Sequence, residues 1–155
     1  MKTETELRQN TAAAVLNELV ANQGVLYTKL HQYHWHVQGP HFFTLHVKYE
    51  ELYDETTADF DAFAERLIAQ GYRPFSTLSE FLEYSTIEER VYDEHLSADQ
   101  MVNNTISDYE VLKNIARRGA ELAGDEGDVV TEDMLVAYIE KIDLTIWMLD
   151  AYLKG

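Results

Sequence analysis

The sequence contains no cysteine. This absence excludes disulfide bonds, thiolate catalysis, zinc–cysteine clusters and iron–sulfur clusters. Any metal bound by the protein must therefore be held by nitrogen and oxygen atoms. Six histidines and 28 acidic residues are the side chains that can supply them.

Long apolar runs are also missing. No stretch approaches the ~20 apolar residues of a membrane span, and the start of the chain, Met1 to Glu6, lacks the apolar run of a signal peptide. We therefore expect a cytoplasmic protein without a membrane segment. The length of 155 residues predicts one domain over residues 1–155 with a single compact core.

Basic residues are scarce. Twelve lysines and arginines are set against 28 aspartates and glutamates, which gives a formal net charge of −16. Nucleic acids and anionic membranes require a cationic surface, so this charge disfavours both as partners. The N-terminal segment offers only Lys2 and Arg8, interleaved with Glu4 and Glu6, so we do not expect direct DNA binding. An acidic surface could instead attract metal cations.

Only two prolines interrupt the chain, and its apolar residues follow helical spacings almost throughout. A capping box at Thr3-x-x-Glu6 is predicted to open a first helix that ends near Trp35–Val37. A second helix is predicted from about His41 to Gln70. The joint between them, Gln38-Gly39-Pro40, is short enough to imply an antiparallel hairpin.

The second half of the chain predicts three further helices. Thr77-x-x-Glu80 indicates a short helix, and Ser97-x-x-Gln100 indicates the start of a third long helix. A polar turn is predicted from Gly119 to Gly127, and Thr131 is predicted to cap the fourth. The predicted fold is all-α, a four-helix bundle with a short extra helix in the crossover between helices two and three.

The second predicted helix carries a polar stripe, with spacings of four, four, three, four and four residues, formed by His46, Glu50, Asp54, Thr57, Asp61 and Glu65. A solvated face of a purely structural acidic bundle is one interpretation. However, the stripe mixes imidazole with carboxylates, and the hairpin would bring His34 level with His46. This combination suits iron, manganese or zinc in an open site.

The length of the helix constrains such a site. Asp61 lies fifteen residues beyond His46, about 22 Å along a straight helix at ~1.5 Å per residue, so one metal ion cannot contact both in one chain. If a second copy packed its helix antiparallel to the first, His46 and Glu50 of one chain would lie beside Asp61 and Glu65 of the other. The two-fold axis would pass near Glu55–Thr56 and generate two equivalent sites.

Three parts of the sequence resemble those of a known family. The first is Leu30–His46 together with Asp61-x-x-x-Glu65-Arg66-Leu67, and the second is Pro74-Phe75-Ser76-Thr77-Leu78-x-Glu80-Phe81-Leu82. The third is Gly127-Asp128-x-x-Thr131-x-Asp133-Met134 together with Ile146-Trp147-Met148. They span nearly the whole chain and resemble the Dps family, the miniferritins of the ferritin-like superfamily named for DNA-binding proteins from starved cells. The resemblance implies a ferritin-like four-helix bundle that assembles into a hollow shell of twelve subunits, with ferroxidase centres between two-fold-related subunits.

The resemblance also implies roles for individual residues. The iron ligands of the family match His34, His46, Asp61 and Glu65. Glu50 falls where relatives often have an aspartate that contributes to the centre. Trp35 matches a tryptophan that intercepts radicals near the centre in the family, and packing at the dimer contact is the alternative. His31, His36 and His41 receive no role.

The implied activity is the oxidation of Fe²⁺ at a centre of one or two irons, with hydrogen peroxide as the expected oxidant and storage of ferric mineral in the shell. Consumption of Fe²⁺ and peroxide would protect against oxidative damage. In the family, iron enters through acidic pores around the turn before the last helix. Here that turn keeps four acids but has Gly124 and Val129 where relatives can have aspartate, so no pore residue is assigned.

Two other functions are weighed against this one. Carboxylate-bridged di-iron proteins of the same superfamily build their site within one bundle from Glu-x-x-His motifs. No histidine in this sequence has a glutamate three residues before it, which disfavours that class. DNA compaction by members of the Dps family generally uses a lysine-rich tail, and the N-terminal segment does not provide one.

Overall fold

The computed structural model describes residues 10–155. Within that range the chain forms helices and no strand, and its helices are α1 (Ala12–His36), α2 (Phe42–Ala69), α3 (Leu78–Tyr84), α4 (Ala98–Asp125) and α5 (Val129–Leu153). Helix α1 packs against α2, α3 and α4, and α4 packs against α5. The all-α prediction is confirmed, including the short helix between the second and third long ones. The predicted capping box at Thr3-x-x-Glu6 and the basic residues Lys2 and Arg8 lie outside the described residues.

Two of the helix starts follow the predicted capping chemistry. Ser97 and Gln100 form the expected reciprocal box, in which each side chain accepts a hydrogen bond from the backbone N–H of the other. Thr77 accepts a hydrogen bond from the backbone N–H of Glu80 at the start of α3. Between α1 and α2, Gly39 adopts a φ of 108°, a left-handed conformation that a glycine takes without strain. This turn makes the antiparallel hairpin possible.

The predicted boundaries of the last two helices were wrong. Helix α4 continues to Asp125, so Gly119 lies inside it instead of opening a turn. A Cβ atom at Gly119 would lie 2.8 Å from a methyl of Leu135 and 2.9 Å from a methyl of Val15. Glycine is therefore used here for close packing of α1, α4 and α5.

The cap of α5 is Asp128 and not Thr131. The Asp128 carboxylate accepts a hydrogen bond from the backbone N–H of Thr131 at 3.1 Å, and it also accepts bonds from Arg66 at 2.8 Å and Gln70 at 2.6 Å. Thr131 is buried in the first turn of α5, where its hydroxyl accepts a hydrogen bond from Nε of Arg66. Because the Asp128 carboxylate accepts hydrogen bonds from three donors, it is a better cap than the Thr131 hydroxyl. Its bonds to Arg66 and Gln70 also connect the start of α5 to α2.

Helix α2 separates two environments along its whole length of 28 residues. Its inner side buries Leu45, Tyr49, Leu52, Thr56, Phe63 and Leu67. Its other side exposes Glu50, Asp54, Thr57, Asp61 and Glu65. The polar stripe therefore lies on the surface of a single chain. No helix in residues 10–155 is long and apolar enough to cross a membrane.

The cap at Asp128 generates a stability prediction. Partial burial raises the pKa of Asp128, but the hydrogen bonds from Thr131, Gln70 and Arg66 outweigh that effect and lower the pKa from 3.8 to about 2. A carboxyl group whose pKa falls on folding stabilises the folded state above its unfolded pKa, and this contribution is lost as the pH falls towards the folded pKa. From the size of the shift we expect Asp128→Asn, which keeps a capping oxygen, to lose about 2 kcal/mol near neutral pH.

Asp128→Ala should lose roughly 1 kcal/mol more than Asp128→Asn, because it also removes the cap. Thermal unfolding followed by circular dichroism at pH 7 and at about pH 3 measures both variants. The deficit of Asp128→Asn relative to the wild type should shrink at the lower pH. A deficit that is equal at both pH values would show that the charge of Asp128 does not contribute.

Candidate metal centre

His34 and His46 meet at the closed end of the α1–α2 hairpin. Nδ1 of His34 lies 2.7 Å from the backbone oxygen of His46, and Nδ1 of His46 lies 2.8 Å from the backbone oxygen of His34. The two rings are stacked, with centroids 3.7 Å apart and planes inclined by 15°. The prediction that the hairpin places these two histidines at one level is confirmed.

This reciprocal pair determines where the hydrogen atoms lie. A carbonyl oxygen can only accept a hydrogen bond, so each Nδ1 carries a hydrogen and donates it. In a neutral imidazole the lone pair is then on Nε2, which is the atom left to bind a metal. Histidines that bind metals commonly donate their second nitrogen to a carbonyl in this way.

The same bonds complete the end of α1. The last carbonyls of a helix have no partner within the helix, and the carbonyl of His34 belongs to the last turn. The imidazole N–H of His46 supplies that partner from the next helix. His34 itself is only 8% exposed, so its ring has little freedom to reorient.

The carboxylates of the stripe lie on the exposed face of α2 in two groups. Glu50 is one turn beyond His46, whereas Asp61 and Glu65 lie near the other end of the helix. The fifteen residues between His46 and Asp61 correspond to about 22 Å of helix. Across residues 10–155 no three histidine, aspartate or glutamate side chains are close enough to hold a metal ion.

Aromatic rings cover the sides of the histidine pair. Phe42 is stacked on His46, with centroids 4.9 Å apart, and Tyr53 meets His34 edge to face at 5.3 Å. His31, to which the sequence assigned no role, is stacked on Tyr53 with centroids 3.8 Å apart and planes inclined by 19°. Nδ1 of His31 lies 2.7 Å from the backbone oxygen of Tyr27, which holds the ring in place.

Tyr53 is the neighbour of the site that sequence reasoning missed. It lies seven residues after His46, two helical turns along the same face, and this spacing was the available signal. Partial burial raises the pKa of Tyr53, and the charges of Glu50 and Asp54 raise it further. Its hydroxyl therefore stays protonated at neutral pH.

The remaining candidate residues lie further from the pair. Trp35 is 68% exposed, and its ring centroid is 5.4 Å from that of His31. Both interpretations of Trp35, radical interception and packing against a second subunit, stay predictions. His41 packs edge to face on Tyr152, and His36 is exposed at the end of α1.

Two acids of the turn before α5 have structural partners. Asp128 caps α5, and the carboxylate of Glu126 accepts a hydrogen bond from the backbone N–H of Ala12 at 2.9 Å, at the start of α1. Asp125 and Asp133 are exposed. If this turn lines an entry route for cations, these two acids are the ones not already used as helix caps.

The sequence profile of the Ferritin family, described as a ferritin-like domain, matches residues 13–155. Two curated relatives are similar over most of their length. The DNA protection during starvation protein of Listeria innocua is 46% identical over 138 residues, which are 89% of this chain and 88% of that protein. DNA protection during starvation protein 2 of Bacillus anthracis is 44% identical over 140 residues, 90% of this chain and 94% of that protein.

The chain belongs to the Dps family. A solved Dps structure from Listeria monocytogenes superimposes with a TM-score of 0.93 at 42% identity, covering 96% of each chain. The family resemblance and the ferritin-like fold expected from the sequence are thereby confirmed. Membership of the Dps family supports iron storage and protection against oxidative damage as the broad function. The residues that perform the chemistry in this chain stay predictions.

The reciprocal histidine pair of this Dps-type chain predicts a stability effect that needs no metal. His46→Ala removes the stacked ring and the donor that completes the end of α1. We expect a loss of roughly 1–3 kcal/mol, the range for a lost buried partner. His36→Ala, an exposed histidine two residues beyond His34 in the sequence, is the control and should change stability by less than about 0.5 kcal/mol.

Thermal unfolding of both variants in the presence of a chelator measures the difference. Equal unfolding temperatures for the two variants would contradict a structural contribution from the pair.

Proposed function

We propose that the protein is a ferroxidase and iron-storage miniferritin, whose iron centres are built by His34, His46 and Glu50 of one subunit with Asp61 and Glu65 of another. The observation that carries this proposal is the reciprocal pair of hydrogen bonds between His34 and His46. It leaves the Nε2 lone pair of each stacked ring available to a metal, with the exposed Glu50 one helical turn beyond His46.

The donor set fits iron as a substrate. Imidazole nitrogen and carboxylate oxygen bind both Fe²⁺ and Fe³⁺, and the absence of cysteine excludes the thiolates that favour softer metals. Carboxylates balance the additional positive charge that develops on oxidation. A protein ligand shell that is incomplete around each iron would leave positions for water and oxidant, which an oxidation site requires.

The length of α2 supports a centre shared between subunits. The helix separates its histidine end from its distal carboxylates by about 22 Å, and an antiparallel second copy would bring the two groups together. The exposed residues near the proposed two-fold axis include Thr57 and Ala58, whose small side chains allow two helices to approach closely. Each pair of subunits would then contain two equivalent centres.

Hydrogen peroxide is the oxidant that we propose, in keeping with the family. Each peroxide takes one electron from each of two Fe²⁺ ions, and its O–O bond breaks to give two hydroxides. The two ferric ions bind these hydroxides and four more from water, so two Fe²⁺, one peroxide and four waters give two ferric hydroxides and four protons. The acidic residues draw Fe²⁺ towards the site before oxidation, because opposite charge raises the local cation concentration. Removal of both reactants suppresses the formation of hydroxyl radicals.

The proposed assembly is a hollow shell of twelve subunits that stores the ferric mineral, located in the cytoplasm. The relatives carry names that refer to DNA protection. For this chain we propose protection through removal of iron and peroxide, without direct DNA binding. A net charge of −16 per subunit, repeated around a shell, would repel the phosphate backbone.

The ferroxidase proposal predicts the behaviour of two matched variants on the same helix. Glu65→Gln removes the charge of a proposed ligand, whereas Glu51→Gln removes that of an exposed glutamate paired with Lys48. Anaerobic addition of Fe²⁺ and peroxide should give soluble ferric absorbance with wild-type protein and with Glu51→Gln. Glu65→Gln should oxidise iron more slowly by about tenfold or more. Even the substitution of a residue that only hydrogen-bonds to a metal ligand lowers metal affinity or activity by that factor.

The absorbance is recorded by stopped flow, with a protein-free reaction as the reference. Oxidation at the same rate with and without protein would remove the ferroxidase claim. Equal rates of oxidation for the two variants would show that Glu65 is not a ligand of the centre.

Sharing of the centre predicts complementation between inactive chains. One parent carries His34→Ala and His46→Ala, and the other carries Asp61→Ala and Glu65→Ala. In a mixed pair of subunits, one centre lacks all four ligands and the other keeps all four. Co-expressed mixed assemblies should therefore oxidise iron although both parents are inactive.

A centre contained within one chain would leave both sites of the mixed pair damaged. Mixed assemblies that fold and assemble normally but oxidise iron no faster than either parent would disprove the shared centre.

A further inference from the structure

A cavity of about 380 Å³ lies between α1, α4 and the segment that follows α3. Its volume is in the range of small-molecule sites, roughly 300–1,000 Å³. None of the residues that line it is a proposed iron ligand, so the cavity is separate from the candidate metal centre. Its polar lining includes Lys29 and Tyr33 of α1, Arg90 and Tyr92 of the segment, and Asn104 and Asp108 of α4.

The wall of the cavity formed by residues 86–92 is fastened to α1. The side-chain oxygen of the buried Asn22 accepts hydrogen bonds from the backbone N–H groups of Thr86 at 3.0 Å and Ile87 at 3.1 Å. Further along the segment, the side-chain nitrogen of Gln32 donates to the backbone oxygen of Arg90 at 2.9 Å. These bonds hold the segment on both sides of the cavity, so the space exists before any ligand arrives.

A buried ion pair forms part of the lining. Nζ of Lys29 lies 2.6 Å from Oδ2 of Asp108, and the two side chains are only 8% and 14% exposed. Within residues 10–155, no second acceptor contacts the Lys29 ammonium and no other donor bonds to Oδ2 of Asp108. An ammonium group carries three hydrogens, so two donors of Lys29 are without a protein partner.

The lining therefore has hydrogen-bonding capacity that the protein does not use. Unused groups on buried charges are unfavourable, and burial raises the pKa of Asp108 more than Lys29 lowers it. The hydroxyl oxygens of Tyr33 and Tyr92 are 3.3 Å apart, and Nδ2 of Asn104 is 3.4 Å from the hydroxyl of Tyr33. Both distances exceed those of strong hydrogen bonds, about 2.7–3.0 Å. A polar ligand would bond here without displacing a good bond within the protein.

We propose that this cavity binds a small zwitterion, a free α-amino acid. Such a molecule carries a carboxylate and an ammonium group next to each other, which is the same arrangement of opposite charges that the Lys29–Asp108 pair presents. The carboxylate of the ligand accepts hydrogen bonds from the unused donors of Lys29, and its ammonium group donates to Asp108. All four charges are then compensated by a neighbour of opposite sign.

The charges of the lining favour a zwitterion over an ion of one sign. Lys29 and Asp108 cancel each other in the buried part, and the exposed Glu88 and Arg90 cancel each other as well. A simple anion would be repelled by the two carboxylates, and a simple cation by the two basic groups. The site does not depend on the proposed iron centre, so it can be tested on iron-free protein.

The test titrates each common L-amino acid into the purified, iron-free assembly by isothermal titration calorimetry, with thermal unfolding as a second measurement. At least one should bind with a Kd of about 1 mM or lower and raise the unfolding temperature. Its N-acetyl derivative lacks the ammonium charge, and its carboxamide lacks the carboxylate charge. Each derivative should bind more weakly by about tenfold or more, because it loses charge-assisted hydrogen bonds.

Three variants locate the site. Ser107→Trp places a large ring at an exposed position of the lining and should weaken binding by about tenfold or more. Asn114→Trp is the matched control with wild-type affinity, because Asn114 is exposed on α4, two turns later, and lies outside the lining. A double variant, Lys29→Gln with Asp108→Asn, removes both charges but keeps hydrogen-bonding groups, and it should lose binding as Ser107→Trp does.

Failure of every amino acid to bind would overturn the proposal. Equal affinity for the N-acetyl derivative or the carboxamide would also overturn it, and so would wild-type affinity in Ser107→Trp or in the double variant. The comparison of an amino acid with its derivatives uses wild-type protein alone, so it decides the question even if a variant does not fold. None of these results depends on iron oxidation, and the ferroxidase proposal is tested separately.

Discussion

Two hydrogen bonds at the end of one hairpin organise the candidate centre. Each imidazole of the pair His34 and His46 donates to the backbone of the other helix, so the rings, their tautomers and the ends of α1 and α2 are determined together. A rigid pair of this kind would bind a metal without the entropic cost of ordering two side chains. The aromatic rings of Phe42 and Tyr53 support the pair from outside.

The length of α2 is the second constraint, and it connects chemistry to assembly. A straight helix of 28 residues cannot fold back to bring Asp61 to His46. In the proposed centre the missing carboxylates come from a neighbouring subunit, so an isolated chain would bind iron weakly. In this proposal oxidation would occur only in the assembled protein.

The acidic residues serve different purposes despite their common charge. Asp128 and Glu126 satisfy backbone N–H groups at helix starts, where a negative charge also interacts favourably with the helix dipole. Glu50, Asp61 and Glu65 have no such role and lie exposed along α2. Carboxylates that cap helices already accept hydrogen bonds from the protein, whereas the exposed ones on α2 are accessible to cations.

The amino-acid sequence alone determined the helices, the turn at Gly39 and the polar stripe on α2, because helical periodicity is a local property. The proposal of a second copy was also made from the sequence, from the rise of the helix. The sequence misplaced the start of α5, because threonine is a common helix cap and Thr131 therefore looked suitable. It also misassigned Gly119 to a turn, because glycine is common in turns and the close packing of the neighbouring helices is not visible in the sequence. Only the tertiary structure decided that Asp128 is the cap, that the two histidines exchange hydrogen bonds and that Tyr53 touches His34. These contacts join different helices, and a periodic pattern specifies which face a residue occupies but not which side chain lies opposite.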